Sequence, residues 1–194
     1  MTSILKVDTI QDADGNNIIN ESGNTITVGA SGDTTNVIGT LNKDGVAVEN
    51  TPSFYAYLSA NQSISSATTT KIQINTEIFD TDNTYDNSTN YRFTVPSGKG
   101  GKYLISYGIG AGADSHTNLY RIFTQLYKNG SNSNLLASVA DPRNNYGFAF
   151  SVVASGVVDL SAGDYIEVYA YNSSGNTAGL NLDRTYFSGF RIGA

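Results

Sequence analysis

The chain has 194 residues, with 11 Lys and Arg against 17 Asp and Glu, and its formal net charge is −6. Binding to nucleic acid needs clustered basic residues that displace counterions, so this acidic balance excludes that function class. The absence of Cys excludes disulfides and thiolate metal sites. The first residues lack the basic start and apolar run of a signal peptide, and no stretch approaches the ~18 apolar residues of a membrane span. We therefore predict no membrane insertion.

The composition changes sharply near Pro52. All 13 Tyr and all 8 Phe lie from Phe54 onward, whereas residues 1–50 hold seven acidic and two basic side chains and no aromatic one. Such a change predicts two parts with different physical roles. We predict a stalk or attachment segment over residues 1–50 and a head domain over residues 53–194.

The first 50 residues contain a short repeat of a turn followed by a strand. The sequence SGNT at residues 22–25 returns as SGDT at residues 31–34, and each copy precedes a β-branched step. Ordering a residue costs ~1–2 kcal/mol of backbone entropy and burying an aliphatic side chain returns ~1.5–3 kcal/mol, so one copy cannot form a core alone. A disordered tail and a β-rich stalk shared by identical chains are both open. The regularly spaced β-branched residues favour the stalk.

The second part reads as a series of strands without helical periodicity. In chain order, the predicted strands are SFYAYLSA, TKIQINTEIF, NYRFTV, GKYLISYGIG, NLYRIFTQLY, NLLASVA, YGFAFSVVASGVVDL, DYIEVYAY and TYFSGFRIGA. Gly, Asn, Ser and Thr separate them about every ten residues, which is typical of all-β proteins. The pattern predicts an antiparallel two-sheet sandwich or jelly roll.

Period-two alternation predicts which strand faces are buried. The buried faces are predicted to be Tyr103, Ile105, Tyr107 and Ile109 in one strand and Ile166, Val168 and Ala170 in another. The opposite face of the second strand carries Glu167 with Tyr165, Tyr169 and Tyr171. A water-facing strand rarely carries three tyrosines, so this face is either covered by another subunit or forms a half-buried tyrosine ladder.

The stretch YDNSTNYRFTVPSGKGGKYLISYGI resembles the central signature of the globular head of complement component one, q. Further matches follow in the same order at residues 54–59, 126–130, 160–169 and 187–192. The resemblance implies a tumour-necrosis-factor-like jelly roll that forms a homotrimer, with Tyr165, Tyr169 and Tyr171 at the trimer interface. Two features depart from that family: the long connection SGKGGK between Pro96 and Tyr103, and Arg191 where the last strand is usually apolar.

The N-terminal stretch ILKVDTIQDADGNNIINESGNTITVGASGDT resembles the start of structural proteins of tailed bacteriophages. This resemblance implies a homotrimeric virion appendage, extracellular on the particle and assembled in the host cytoplasm, with residues 1–50 bound to other virion proteins. We predict a non-enzymatic fibre or spike whose head adheres to host-surface polysaccharide or protein. Two alternatives are a capsid decoration protein that stabilises the shell and a secreted bacterial matrix or signalling protein.

Catalytic and metal chemistry are weakly represented. The single histidine, His116, adjoins Asp114 and Ser115 on a polar loop, where sequence neighbours rarely converge into a triad, so we expect a solvated side chain and no catalytic residue. Asp80, Asp82 and Asp86 alternate in DTDNTYDN, as calcium ligands do, but the EF-hand glycine and the terminal glutamate are missing. A calcium site and a turn whose carboxylates cap backbone amides are both open. No other cofactor is predicted.

Polar loops supply the predicted ligand-binding site. If strands alternate in direction, residues 97–102, 129–134 and 172–184 lie at the tip opposite the stalk, and residues 141–146 join them if their strand is split. The predicted binding residues are Lys99, Lys102, Asn129, Asn132, Arg143, Asn145, Tyr146, Asn172, Asn176 and Arg184. Such side chains suit hydrogen bonding to a sugar or to a polar protein surface.

Overall fold

The protein is described here from a computed structural model. The structure describes residues 9–11, 13–15, 17–22, 25–28, 31–39, 41–43, 46–47, 50–112, 121–141, 149–173, 175 and 177–193. These residues contain strands and turns but no helix, and hence no helix that could cross a membrane. The chain divides into two compact units, Met1–Glu49 and Asn50–Ala194.

The first unit contains short strands with exposed aliphatic side chains. Its strands are β1 (Thr9–Gln11), β2 (Asn17–Ser22), β3 (Thr25–Val28), β4 (Asn42–Lys43) and β5 (Val46–Ala47). β1, β2 and β3 form one antiparallel sheet, and β4 pairs with β5. Ile26 is 69% exposed and Ile38 is 94% exposed. Within its described residues, this unit therefore has no buried core of its own.

The second unit is a sandwich of two antiparallel sheets. Its strands are β6 (Ser53–Tyr57), β7 (Gln62–Ile64), β8 (Thr68–Lys71), β9 (Thr76–Asp80), β10 (Tyr85–Asp86), β11 (Arg92–Thr94), β12 (Gly101–Gly112), β13 (Ile122–Lys128), β14 (Ser131–Ala140), β15 (Ala149–Leu160), β16 (Tyr165–Asn172) and β17 (Ala178–Gly193). One sheet has the order β10-β11-β16-β13-β14. The other has the order β15-β12-β17-β6-β9, with β7 also paired to β17. The predicted all-β jelly-roll class is confirmed.

Aromatic and aliphatic side chains from both sheets form the core. Phe54 packs between rings of the two sheets, with centroids 4.7 Å from Phe93 and 4.9 Å from Phe187. Both strand faces predicted to be buried are buried: those of Tyr103, Ile105, Tyr107 and Ile109, and of Ile166, Val168 and Ala170. Period-two alternation therefore identified the inner face of each sheet correctly.

The predicted strand TKIQINTEIF is wrong as a single element. β8 lies beside β16, where the amide of Ile72 donates to the carbonyl of Val168 at 2.9 Å, whereas β9 pairs with β6 in the other sheet. The intervening residues cross between the sheets and bury Ile72 and Ile74. A β-branched run that crosses a core has the same apolar pattern as a strand, so periodicity could not separate the two.

The predicted loop over residues 172–184 is also mostly wrong. β17 begins at Ala178 and pairs with the glycine-containing end of β12, opposing Gly179 to Gly112 and Asn181 to Gly110. Asn and Gly usually mark loops. Here the pairing with β12 extends the last strand through a sequence that looks like a turn.

The two ends of the sandwich are set by the pairing register. We call the end that carries Ser53, Gly101 and Gly193 the proximal end, because Ser53 opposes Phe190 and Lys102 opposes Gly193. The distal end carries Gly112 and Asn172. The connections of residues 96–101 and 129–130 lie at the proximal end, since Gly101 opposes Leu160 and Lys128 opposes Ile166.

The prediction that three loops share the distal tip is therefore wrong. Of these three loops, only the connection after β16 lies at the distal end. The count failed because it passed over the reversal of direction between NLLASVA and YGFAFSVVASGVVDL, two separately predicted strands that form β14 and β15 in different sheets. The residues at the ends of those two strands, Ala140 and Ala149, lie at the distal end, opposite Ile122 and Gly112.

Candidate binding surfaces

The outer side of the six-stranded sheet is apolar and partly exposed. Direct pairing aligns uncharged residues in rows across the strands, such as Ser155, Ser106, Ser188, Tyr55 and Phe79. We call this surface the apolar face and define it by Tyr55, Phe79, Val153, Val157, Tyr186 and Phe190. Val157 is 58% exposed, Phe79 48% and Phe190 40%. Lys102 and Asp159, with a nitrogen to oxygen distance of 3.9 Å, lie at its proximal rim.

Aromatic rings on the apolar face stack across neighbouring strands. The ring of Tyr55 lies 5.8 Å from that of Tyr186 and 6.5 Å from that of Phe79, measured between centroids. The ring of Tyr186 covers Gly108, where a β-carbon would approach it to 2.4 Å. A pocket of about 420 Å³ opens beside these rings and is lined by Leu104 and Phe190 among others. The face is therefore a shaped apolar surface rather than isolated exposed side chains.

The outer side of the five-stranded sheet is aromatic but polar. Its rings, which we call the tyrosine face, belong to Phe123, Tyr127, Tyr165, Tyr169 and Tyr171 on β13 and β16. All five are half-buried, while Ile122, Thr124 and Leu126 on the inner side of β13 are fully buried. Tyr127 and Tyr169 stack on each other with centroids 4.0 Å apart.

Cations lie over the rings of the tyrosine face. The guanidinium of Arg92 is 4.0 Å from the ring centroid of Tyr165, and that of Arg121 is 4.1 Å from the ring of Phe123. Lys71 lies 5.8 Å from the ring of Tyr169. Two of the three predicted interface tyrosines, Tyr165 and Tyr169, thus have partners on their own chain, as expected for the alternative of a half-buried ladder.

A buried carboxylate lies beneath this layer. Glu167 is 3% exposed and forms an ion pair with Lys71, whose ammonium also donates to the backbone carbonyl of Asn90 at 3.2 Å. Tyr169 lies in the same environment, and burial, followed by the nearby charge of Glu167, raises its pKa. The pair fixes β8 and the turn before β11 onto the sheet.

The carboxylates of the predicted calcium loop accept hydrogen bonds from the chain itself. Asp86 accepts the amide protons of Ser88 at 3.0 Å and Thr89 at 2.8 Å, together with the side-chain amide of Asn90 at 2.7 Å. The bond from the Thr89 amide is the largest of the effects that hold the pKa of Asp86 well below its usual range. This geometry is the turn capping that the sequence left open as the alternative to calcium.

Asp80 is engaged in the same way. Its carboxylate accepts the amide proton of Tyr85 at 2.8 Å and the hydroxyl proton of Thr84 at 3.2 Å. Asp82 is partly exposed nearby, and its amide donates to Asp80 at 3.4 Å. Within the described part of the chain, no group of three or more acidic or histidine side chains is arranged to hold a metal ion.

Two predicted binding residues of the proximal end have structural partners. Lys99 donates to the hydroxyl of Thr51 at 3.1 Å, and the side-chain amide of Asn129 donates to Asp164 at 2.7 Å. The Asn129 side-chain oxygen also accepts the amide proton of Tyr165 at 2.9 Å. These contacts hold the hairpin turn against the start of β16.

The remaining described residues of that prediction are scattered. Lys102 and Asn132 are exposed at the proximal end. Asn172 is fully buried at the distal end, where its side-chain amide donates to the carbonyl of Ile64 at 3.1 Å, so its predicted role in ligand binding is wrong. Arg184 is exposed, with its β-carbon against Gly110 in the bulged part of β17.

Five residues singled out in the sequence lie outside the described residues. They are His116, Arg143, Asn145, Tyr146 and Asn176. The predicted ligand-binding residues that the structure does describe are not grouped into one site.

Sequence reasoning missed the apolar face. Val152 and Val158 of β15 are buried, whereas their neighbours Val153 and Val157 are exposed. Because both sides of this strand carry valines, its sequence does not indicate which side faces inward. The one available signal was that β15 is apolar on both faces, which is typical of a strand covered on both sides.

Solved structures of low sequence identity share this fold. The globular domain of zebrafish complement 1qA protein aligns with a TM-score of 0.52 and 16% identity, covering 73% of this chain and 98% of that chain. Murine APRIL at pH 8.5 aligns with a TM-score of 0.53 and 14% identity, covering 72% of this chain and 98% of that chain. No protein-family model and no curated protein matches the sequence. The head thus has the jelly-roll fold of the complement and tumour-necrosis-factor-like proteins, which confirms the fold that the sequence resemblance implied.

Proposed function

We propose that three copies of the head associate through the apolar face. The observation that carries this proposal is the exposure of Val153, Val157, Phe79 and Phe190 on one sheet surface, where the charged residues Lys102, Asp159 and Arg184 lie toward its two ends. Burying a large apolar side chain contributes ~1.5–3 kcal/mol, so this surface gains stability when it is covered. The tyrosine face gains less from being covered, because all five of its rings are half-buried and those of Phe123, Tyr165 and Tyr169 lie against cations of the same chain.

The distribution of apolar residues favours a ring over a two-fold dimer. Val153 and Val157 lie on β15 at one edge of the sheet, and Ile78 and Phe79 lie on β9 at the other edge. When the β15 edge of one copy packs on the β9 side of the next, the contact is heterologous, and it gives a ring where the rotation from copy to copy closes. The number three follows from the resemblance to the complement and tumour-necrosis-factor-like heads.

We further propose that this trimer is a non-enzymatic appendage of a tailed-bacteriophage virion. Residues 1–50 attach it to other virion proteins, and the head adheres to polysaccharide or protein on the host surface. Support comes from the resemblance of the N-terminal stretch to phage structural proteins and from the exposed aliphatic side chains of the first unit. When three weak sites on one particle bind a repetitive surface together, their combined avidity exceeds the affinity of each single site.

The association is tested by the mass of the purified full-length chain. Multi-angle light scattering is expected to give three times the chain mass of 20.6 kDa. A mass of one chain would overturn the assembly.

The adhesive role is tested separately with a fluorescent full-length protein on a panel of bacterial cells, together with antibody labelling of purified phage particles by electron microscopy. We expect label on a tail or spike and coating of one host group. Label on the capsid without coating of cells would instead favour the decoration protein.

A further inference from the structure

The three-stranded sheet of the first unit has an aliphatic side and a polar side. The register places Ile10, Ile19 and Val28 directly opposite one another in β1, β2 and β3. We call these three residues the aliphatic row. The next row runs from Thr9 through Asn20 to Thr27 and is polar. Because successive residues of a strand take opposite sides, the two rows define the two sides of the sheet.

The aliphatic row is open to solvent in the single chain. Ile10 is 40% exposed, Ile19 is 37% exposed and Val28 is 52% exposed. A sheet with one apolar side is stable when that side packs against a second layer. The described residues of the first unit do not bury the row, so the covering layer has to come from elsewhere.

The head supplies a reason for that layer to be a second copy of the same sheet. The chain runs directly from the first unit into the head, so three associated heads tether three aliphatic rows within one assembly. Tethered units meet at an effective concentration of about millimolar. Three partly exposed side chains in each copy are too few to hold free chains together, and the contact therefore depends on the heads.

The width of the sheet suits a threefold arrangement. Neighbouring strands lie about 4.8 Å apart, so β1, β2 and β3 form a side about 14 Å wide. Three such sides enclose a triangular prism whose sides lie about 4 Å from the axis, close to the half-spacing of about 5 Å between packed sheets. Aliphatic side chains fill an interior of that size without a channel.

Other residues of the unit limit the contact to the row. Glu21 pairs with Ile26 on the same side of the sheet, next to the connection between β2 and β3. A carboxylate at that end opposes close approach of three copies, so the contact is centred on the aliphatic row. Val37, Ile38 and Leu41 are exposed outside these strands and stay available for attachment to another protein.

We propose that the aliphatic rows of three copies pack against one another around a common axis. Ile19, in the middle strand, lies nearest the axis, and Ile10 of one copy meets Val28 of the next at each corner. This inference rests on the proposed head trimer and adds a second contact between copies. The polar side of the sheet then faces outward.

The test uses disulfides as reporters of the contact. The chain contains no cysteine, so one introduced thiol forms a disulfide only with a second copy. In full-length Ile19→Cys, mild oxidation is expected to join about two thirds of the chains into covalent dimers, since three thiols around one axis form a single disulfide. Non-reducing gel electrophoresis measures the yield, which should not change on dilution.

The double variant Ile10→Cys with Val28→Cys tests the corners. Within one chain these residues are two strand spacings apart, about 10 Å, which is beyond the reach of a disulfide. Between neighbouring copies they meet, so oxidation is expected to give covalent trimers. A product that stops at covalent dimers would contradict the threefold arrangement.

The matched control is Thr27→Cys, which places an exposed thiol beside Val28 but in the polar row. Its crosslinks are expected to form only by collision and to decline on dilution. Light scattering of each reduced variant shows whether the threefold mass is retained.

Light scattering also separates this inference from the head assembly. If the reduced variants keep the threefold mass but Ile19→Cys and the double variant crosslink no better than Thr27→Cys, the head trimer stands and the inference is overturned. Another protein or another part of the chain then covers the row. If the unmodified protein has the mass of one 20.6 kDa chain, the head assembly itself fails.

Discussion

The two outer faces of the sandwich contain similar numbers of aromatic rings but differ in what those rings contact. On the tyrosine face, cations from β11, β8 and the start of β13 lie over the rings, and Glu167 is buried beneath Lys71. On the apolar face, rings stack only on one another, and Val153 and Val157 project beside uncharged serines.

This difference shows why the presence of tyrosines does not by itself mark an interface. A ring that is covered by a guanidinium has a partner whether or not another chain arrives. An exposed valine on an uncharged sheet has none in its own chain, and only burial against another surface removes it from water. Substitutions on each face test this difference.

Removing the cation above Glu167 is expected to have the largest effect. Lys71→Met leaves a carboxylate that is 3% exposed without its ion-pair partner, and the free energy of unfolding should fall by about 3 kcal/mol. The double variant Lys71→Met with Glu167→Gln should recover most of the loss, because no buried charge remains. Urea denaturation monitored by tyrosine fluorescence measures both.

The matched control for this pair is Lys102→Met at the rim of the apolar face. Lys102 and Asp159 are both well exposed, so its loss should change stability by less than about 0.5 kcal/mol. If Lys71→Met is as mild as this control, the buried ion pair does not stabilise the tyrosine face.

The free energy of unfolding is expected to depend on pH through Asp86, which caps the turn at the edge of the five-stranded sheet. Amide hydrogen bonds lower the pKa of Asp86 below its ordinary value of 3.8, so the ionised carboxylate stabilises the fold fully above that value. The stabilisation is lost as the pH falls from there toward the folded-state pKa. Asp86→Asn should lower the free energy of unfolding by about 1 kcal/mol near neutral pH.

That deficit should shrink in acid, which urea denaturation at about pH 7 and about pH 2.5 would reveal. Asp159→Asn is the control, because its carboxylate is exposed and 3.9 Å from Lys102. A deficit for Asp86→Asn that is equal at both pH values would mean that the turn does not depend on the charge.

Calcium is expected to have the smallest effect. Asp80 and Asp86 already accept amide protons, so binding of the ion would have to break those bonds. Adding Ca²⁺ should leave the melting temperature of the full-length chain unchanged in calorimetry. A rise that disappears in Asp82→Asn would restore the calcium site that the sequence left open.

The fold could be predicted from the sequence because its strongest signals are local. Alternation identified the buried side of β12 and of β16, and Asp86 has the turn position that was one of its two open alternatives. The failures have a common cause in pairing over long distances. The neighbouring strand decides whether Ile72 and Ile74 belong to a strand. It also decides whether residues 178–184 form a loop.

The candidate surfaces were harder to predict for the same reason. The end of the sandwich at which a loop lies changes with each strand. Counting the reversal between β14 and β15 places residues 97–102 and 129–134 at the proximal end. The apolar face is assembled from five strands, and only β15, which is apolar on both of its sides, carries a signal of its own. Only the register aligns Ser155, Ser106 and Ser188 into an uncharged row.

The most direct test of the difference between the faces is the mass of two matched variants by multi-angle light scattering. Val157→Asp places a charge on the apolar face, and Val139→Asp places one at a comparably exposed valine on the outer side of the other sheet, opposite Phe123. We predict that Val157→Asp has the mass of one 20.6 kDa chain while Val139→Asp keeps three times that mass. Retention of the threefold mass by Val157→Asp, or dissociation by Val139→Asp alone, would contradict the assembly through the apolar face.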